Sequence, residues 1–418
     1  MQINRRSLLA GLSAGVSVTA LGARAPSARQ AAQAEPRVVP DYETPLFQLH
    51  RLVKAPVKVA SIELLKNERH YFVRTRSTDG AVGVCETKQM EHYVPILLDI
   101  VAPFFIGKDA RDLETLIDGV YIENYKLAGQ SFWCPVAYVE QSLLDLLGKT
   151  AGKPVGELMG GVIRKEIPVY LSGSGRDTTA EEEVEVYVRG VAHTGAKAVK
   201  LKIGGRMSRN LDAYPGRTDT MMALARKRLG DDIVIYTDAN GSYNAAKAVE
   251  VGRMLEDLGV GFLEEPCPWE ELSETKQVAE ALKMPVAAGE QDASLWRFQW
   301  MMENRVMDIV QPDLNYNGGL IRAARVARMA RKAGMRIVPH NTQTGATAVN
   351  ILQFASAIPN IGAYMEFPWR APGRPESWYS PHFEIHDGAV SVPTGPGLGV
   401  EIDPGFLAKA RRIVPCPS

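Results

Sequence analysis

Short apolar runs, each closed by one polar residue, recur along the second half of this chain. Six of them (VIYTDAN, GFLEEP, PVAAGE, MDIVQPD, RIVPH and AYMEF) carry Asp238, Glu264, Glu290, Asp313, His340 and Glu366 at or near their ends, at intervals of 23 to 27 positions. Upstream, AKAVKLKIGG places Lys200 and Lys202 at the end of a similar run. A strand with its following helix takes about that length, and strands alternating with helices predict a parallel sheet. Eight such units close into a barrel, whose chemistry gathers where the strands end. IPVYLSG is the expected first strand, AKAVKLKIG the second and DIVIYTDA the third, with helical stretches at 179–193 and 245–258 between them. The pattern therefore brings three carboxylates, two lysines and an Asp/His pair to one rim.

The first half reads differently. KVASIELLKN is followed by HYFVRTRSTDGAVGVCET, which alternates through Tyr71, Val73 and Thr75 and turns at Asp79-Gly80. Alternation around an Asp-Gly turn predicts an antiparallel hairpin. Helical spacing follows over 91–100, 110–121 and 135–150. Strands followed by helices, without alternation, predict an α+β domain. After Trp369 come a Pro/Gly-rich loop and HFEIHDGAVSVPTGPGLGVEID, a hairpin-like ending expected to fold back onto the first domain. The expected organisation is a leader over 1–34, an α+β domain over 45–165, a barrel over 166–370 and a returning segment over 371–418.

Composition changes this picture little. The 418 residues are 45% hydrophobic and 23% charged, ordinary for a globular chain with one large barrel and a smaller domain. Forty-eight basic residues balance 48 acidic ones, so nothing points to nucleic acid or an anionic membrane as partner. The leader is distinctive. Arg5-Arg6 precede a modestly apolar run over 8–21, too short and too weakly hydrophobic to span a bilayer. With Ala32-Gln33-Ala34 behind it, this reads as a twin-arginine export signal cleaved after Ala34 or after Ala25, which predicts a periplasmic protein free of the membrane once cleaved. The alternative is a disordered tail that happens to carry Arg-Arg. Cys85, Cys134, Cys267 and Cys416 show no Cys-x-x-Cys pairing and read as buried apolar fillers, with Cys267 an improbable nucleophile.

Asp238, Glu264 and Glu290, at the ends of three successive strands, offer hard oxygen ligands on rigid elements. They suit one Mg²⁺, or Mn²⁺ in its place, with positions left for substrate or water. Glu265 is expected on the opposite face of its strand. Lys200 and Lys202 are one residue apart and share a face, here the barrel interior. Lys202, nearer the strand end, is the expected base; Lys200 is expected to contact a substrate carboxylate and to depress its neighbour's pKa. His340 follows Asp313 in the next unit, and a carboxylate on one imidazole nitrogen makes the other a base. Glu366 is expected to stay protonated among other carboxylates and to donate to an enolate oxygen, contacting substrate. Asn240 is a candidate substrate ligand; Asn315 and Asn317 are weaker candidates. The turn at 65–70 and the aromatic stretch 121–133 are the candidate lids.

These residues resemble the enolase superfamily and, within it, the mandelate racemase subgroup. The resemblance rests on Lys200-x-Lys202, Asp238 with Asn240, Glu264-Glu265-Pro266, Gly289-Glu290, Pro312-Asp313 with Gly318-Gly319, and Pro339-His340. It extends through VEQSLLDLLGKTAGKPVGELMGG to GPGLGVEID, nearly the whole mature chain. It implies a modified TIM barrel of (β/α)7β form, with an N-terminal α+β capping domain completed by the C-terminal segment. It also implies metal ligands Asp238, Glu264 and Glu290, bases Lys202 and His340, Asp313 as partner of His340, and Glu366 as the acid. A Lys or His base beside Mg²⁺ is already established for that superfamily. The expected step is loss of the proton α to a carboxylate. Dehydration of a sugar acid to a 2-keto-3-deoxy acid is the first expectation. Racemisation or epimerisation of a 2-hydroxy acid and cycloisomerisation of a lactone or anhydro sugar acid are the alternatives, and an exported binding protein without turnover comes last. The implied partner is a small carboxylate, and family members are commonly homo-oligomers.

Overall fold

The alternating run at 59–87 folds into an antiparallel meander of β1 (Val59–Asn67), β2 (His70–Ser77) and β3 (Val82–Thr87). Gly80, at φ +92°, makes the expected Asp-Gly turn between β2 and β3. The computed structural model describes residues 44–88, 90–173, 175–370 and 375–414; the expected export signal and Cys416 lie outside them. The outer edge of β1 is covered by Arg411–Ile413 from the far end of the chain, with Leu64 opposite Ile413.

Against this sheet packs a 22-residue helix, Gln130–Ala151, ended by Gly152 in the left-handed conformation. It is buried nearly all round because it is wedged between the meander and the second domain. Close approach to the sheet is why Gly83 stands on β3: a Cβ there would lie 2.0 Å from the carbonyl oxygen of Ser142. Polar residues on the same helix tie the two layers together. Asp145 accepts from the amides of Val84 (2.8 Å) and Leu398 (2.9 Å). Glu140 accepts from the amides of Leu320 (2.7 Å) and Ile321 (2.8 Å), the exposed donors at the start of helix Leu320–Lys332. Burial pushes the Glu140 carboxyl up to about 8 despite those two donors. Gly319 precedes that helix at φ +113°, where a Cβ would meet Glu140 Oε2 at 2.0 Å.

The second half forms eight parallel strands: β4 (Glu166–Ser172), β5 (Ala198–Lys202), β6 (Val234–Asp238), β7 (Leu263–Glu264), β8 (Val286–Ala288), β9 (Ile309–Val310), β10 (Arg336–Ile337) and β11 (Met365–Pro368). Each pairs with its sequence neighbour from β4 to β10, and β11 pairs with β4. A parallel bridge from Ile337 to Ile361, just ahead of β11, closes the ring. Among the described residues seven helices, one in each connection, cover the outside, giving a (β/α)7β barrel with an N-terminal cap. Their starts are set locally. Thr179 and Glu182 form a reciprocal capping box on helix Ala180–Thr194, and Asn244 caps Ala245–Asp257. No helix among the described residues is long and apolar enough to cross a membrane.

The ending expected to be hairpin-like pairs with two different partners. Ala389–Ser391 runs antiparallel to the start of β4, while Glu401–Ile402 pairs with Tyr379–Ser380. Gly397 and Gly399, both at positive φ, keep the intervening chain in turns that a continuous ladder would not allow.

Candidate active site and metal centre

Every strand of β5, β6, β7 and β11 brings a charged side chain into the barrel. Lys200, Lys202, Asp238, Glu264 and Glu366 lie within those strands, and all five are buried. Glu290, Asp313 and His340 come two or three residues after β8, β9 and β10, in the loops at the same rim. The short strands β7 to β10 are the reason: only two or three residues pair before the chain turns outward.

Carboxylate oxygens of Asp238, Glu264 and Glu290 lie within 4.8 Å of one another, all buried. Asp238 Oδ1 accepts from the amide of Asn240 at 2.8 Å, and its Oδ2 is engaged by the Lys202 ammonium. Glu264 accepts from Gln311 Nε2 at 2.8 Å and takes Lys200 Nζ on both oxygens at 2.8 Å. Glu290 Oε1 accepts from Gln291, while its Oε2 is buried without a hydrogen-bond partner. A buried anionic oxygen left open beside two further carboxylates fits a divalent cation that prefers oxygen ligands. Burial raises the Asp238 carboxyl, but Lys202, Lys200 and Arg176 outweigh it and hold the group well below the usual carboxylate range. Glu264 is pushed up to about 8 by burial, and the neighbouring Asp238 and Glu366 add to this against Lys200.

The Lys200 ammonium is fully buried and bridges Glu264 (2.8 Å) and Glu366 Oε1 (2.9 Å) across the barrel. Burial works against its charge, yet the surrounding carboxylates raise its pKa well above that of an ordinary lysine. The nearest charge to Glu366 is this ammonium, and Asn341 N donates to its Oε2 at 2.9 Å. Burial alone would raise its pKa; Lys200, His340 and Lys202 outweigh burial and hold it down to about 2.

His340 Nδ1 lies 2.9 Å from Asp313 Oδ2, and its Nε2 lies 3.4 Å from Glu290 Oε2. Asp313 is itself fixed by the amides of Asn315 (2.7 Å) and Tyr316 (3.0 Å). Burial opposes the imidazolium, but Glu290, Asp313 and Glu366 overcome it and push the ring up to about 10. Lys202 and His340 line one cavity of about 820 Å³, with Glu290 and Glu366 between them. Around the ring, β5 and β10 are three strands apart one way and five the other.

Several residues escaped the sequence reading. Arg176 Nη1 donates to Asn240 Oδ1 at 2.9 Å and fixes that amide at the cavity wall. Gln311, which pins Glu264, was signalled: it interrupts the apolar run two residues before Asp313. Glu265 contradicts its expected outward position. The strand ends at Glu264, and φ +40° at Glu265 breaks the alternation, so this carboxyl also lines the cavity. Neither expected lid does. The 65–70 turn packs through His70 against Trp378 and Phe406, and stretch 121–133 packs through Trp133 on Arg322 and meets the cavity residue Gln291 through Gln130 (2.6 Å). Among the described residues the cap contributes Lys88, just after β3, which is held by Thr342 and by Tyr316 (3.3 Å). Asn315 and Asn317 are buried in structural contacts with Gln141 and Asp292. Cys85, Cys134 and Cys267 are buried free thiols, and burial pushes Cys267 up to about 12, too high for a nucleophile.

Known proteins agree with this architecture. Residues 43–160 match the mandelate racemase / muconate lactonizing enzyme N-terminal domain, and residues 182–406 match the enolase C-terminal domain-like family. The arabinonate dehydratase of Saccharolobus solfataricus is 29% identical over 344 residues, 80% of this chain and 88% of its own. The D-galactarolactone cycloisomerase of Agrobacterium fabrum is 28% identical over 380 residues, 88% of this chain and 97% of its own. A mandelate racemase/muconate lactonizing protein from Paracoccus denitrificans, solved in complex with magnesium, superposes with a TM-score of 0.79 at 30% identity, covering 86% of this chain and 99% of that one. With both halves matched and the barrel rim carrying the acidic triad, the chain belongs to the enolase superfamily, in its mandelate racemase subgroup.

Proposed function

We propose that this protein removes the proton α to the carboxylate of a sugar acid and expels the β-hydroxyl, yielding a 2-keto-3-deoxy acid. The observation that carries the reading is that two proton carriers, Lys202 and His340, line one cavity beside the acidic triad. Dehydration needs a base and an acid together, whereas binding needs neither. Asp238, Glu264 and Glu290 would hold Mg²⁺, which supplies a Lewis acid for the substrate carboxylate. Lys202 Nζ, as the neutral amine, takes the α-proton and becomes the ammonium that Asp238 neighbours. His340, held as imidazolium, gives a proton from Nε2 to the departing hydroxyl, and Asp313 keeps Nδ1 occupied so that Nε2 faces the cavity. Lys200, clasped by Glu264 and Glu366, keeps a fixed positive charge beneath the site where negative charge develops.

The likeness to a cycloisomerase supports a second reading, in which the same α-proton is removed from a lactone or anhydro sugar acid. Incubation of the pure protein with Mg²⁺ and a panel of sugar acids and lactones in D₂O separates the outcomes. Keto-acid formation supports dehydration. Rearrangement without loss of water supports cycloisomerisation, and α-deuteration alone supports epimerisation. Neither exchange nor product across the panel would sink the proposal. We also propose export by the twin-arginine route, on the strength of Arg5-Arg6 and the small-residue run behind them; recovery of the uncleaved chain in the cytosolic fraction would refute it.

A further inference from the structure

Glu265 stands one residue past the triad yet outside it, since the mutually close ligand atoms belong to Asp238, Glu264 and Glu290. Two unfavourable features meet on this side chain. Its backbone sits at φ +40°, in a region that non-glycine residues occupy only where their surroundings impose it. Its Oε1 is buried with no hydrogen-bond partner among the described residues, although the residue lines the cavity and is only 5% exposed. Native proteins rarely leave a buried acceptor open.

The neighbouring strand repeats the arrangement. Asn240, two residues past Asp238, sits at φ +41° and also lines the cavity. Its Oδ1 accepts from Arg176, whose guanidinium is spread over the carbonyls of Ile203, Gly204 and Asp238. With Oδ1 so committed, Nδ2 donates to Asp238 Oδ2 at 3.2 Å and to Glu265 Oε2 at 3.3 Å. One oxygen of Glu265 is thereby anchored, and the other, buried and without a hydrogen-bond partner among the described residues, belongs to a residue of the cavity wall.

We infer that Glu265 is a substrate-hydroxyl subsite: Oε1 accepts a hydrogen bond from a hydroxyl on the carbon chain of the bound acid, with Arg176 and Asn240 as its positioning residues. An open carboxyl oxygen calls for a donor. A second carboxylate of the ligand would crowd onto Asp238, Glu264 and Glu290, where burial and those charges already raise the Glu265 carboxyl. A cationic ligand would meet Lys88, Lys202, Arg206 and His340 as well as Glu183, Glu290 and Glu366. A neutral hydroxyl meets neither objection. The inference rests on the sugar-acid reading above and adds the residue that distinguishes a polyhydroxy acid from a plain one.

The test compares two acids on the full chain with Mg²⁺: the tightest-binding hexonate of a stereoisomer panel, and 2-hydroxyhexanoate, which lacks the hydroxyls beyond C2. Glu265→Ala is expected to weaken hexonate binding about tenfold or more, while 2-hydroxyhexanoate stays within about twofold. Glu265→Gln, which keeps an acceptor oxygen, restores most of the loss, and Mn²⁺ affinity followed by EPR is unchanged. Equal losses for both acids, a parallel fall in Mn²⁺ affinity, or no loss at all would each overturn the subsite. A wild-type protein that binds neither acid refutes the sugar-acid reading and this inference with it. One that binds both, with a variant showing no selectivity change, refutes this inference alone.

Discussion

The two walls of the cavity hold their proton carriers by different means. On the β5 wall, Lys202 lies within the strand and its ammonium rests on Asp238, a member of the triad. On the opposite wall, His340 sits in a loop three residues past β10, yet it is oriented by Asp313, which is outside the triad. Lys202 is therefore placed by a rigid strand but electrically bound to the metal centre. His340 is placed by a hydrogen bond in a looser element and feels the triad through Glu290 at 3.4 Å. A strand supplies position, and a carboxylate partner supplies it where no strand is available.

The most severe break in this comparison is removal of either carrier. Lys202→Ala and His340→Ala are each expected to lower kcat by about 10²- to 10⁴-fold while leaving the circular dichroism spectrum unchanged. Undiminished turnover in one of them would remove that residue from the mechanism. Next in size is the joint between cap and barrel. Gly319→Ala places a Cβ 2.0 Å from Glu140 Oε2 at φ +113°, and is expected to cost about 1–3 kcal/mol in urea denaturation. A neutral result would mean that Glu140 can leave the helix start at no cost.

A pH titration sharpens the contrast between the walls. The folded-state pKa of His340, about 10, is raised above the ordinary 6.5, so its contribution to stability is complete below about pH 6.5 and is lost as pH rises towards 10. Metal-free protein is expected to lose stability across that window, and His340→Gln should flatten the decline. Because Glu290 is the chief cause of the raised value, adding Mg²⁺ should move the His340 NMR titration downward. An unmoved titration would separate Glu290 from the cation. The smallest effect is expected far from the cavity. Thr179→Ala removes a capping box and should cost about 1 kcal/mol in thermal unfolding, without altering KM.

Much of the fold was legible because its information is local. The 23- to 27-residue recurrence marked the strand-helix units, and the Asp79-Gly80 pair marked the meander turn. Two readings went wrong for different reasons. Glu265 was assigned a face from strand alternation, but the strand ends at Glu264 and φ +40° breaks the alternation at the next residue. The choice of lid failed because the 65–70 turn is taken up by Trp378 and Phe406, more than 300 positions away.

By itself, then, the order of residues determined that acids, amines and an imidazole would end successive strands of a closed barrel, since spacing and hydrophobic period act within a few turns of chain. Only the tertiary structure decided that Lys200 spans Glu264 and Glu366, that Lys200, His340 and Lys202 hold the Glu366 carboxyl down, and that Glu265 turns inward. Those outcomes depend on distances across the barrel and on the loss of water around each charge, and neither is written in any single segment.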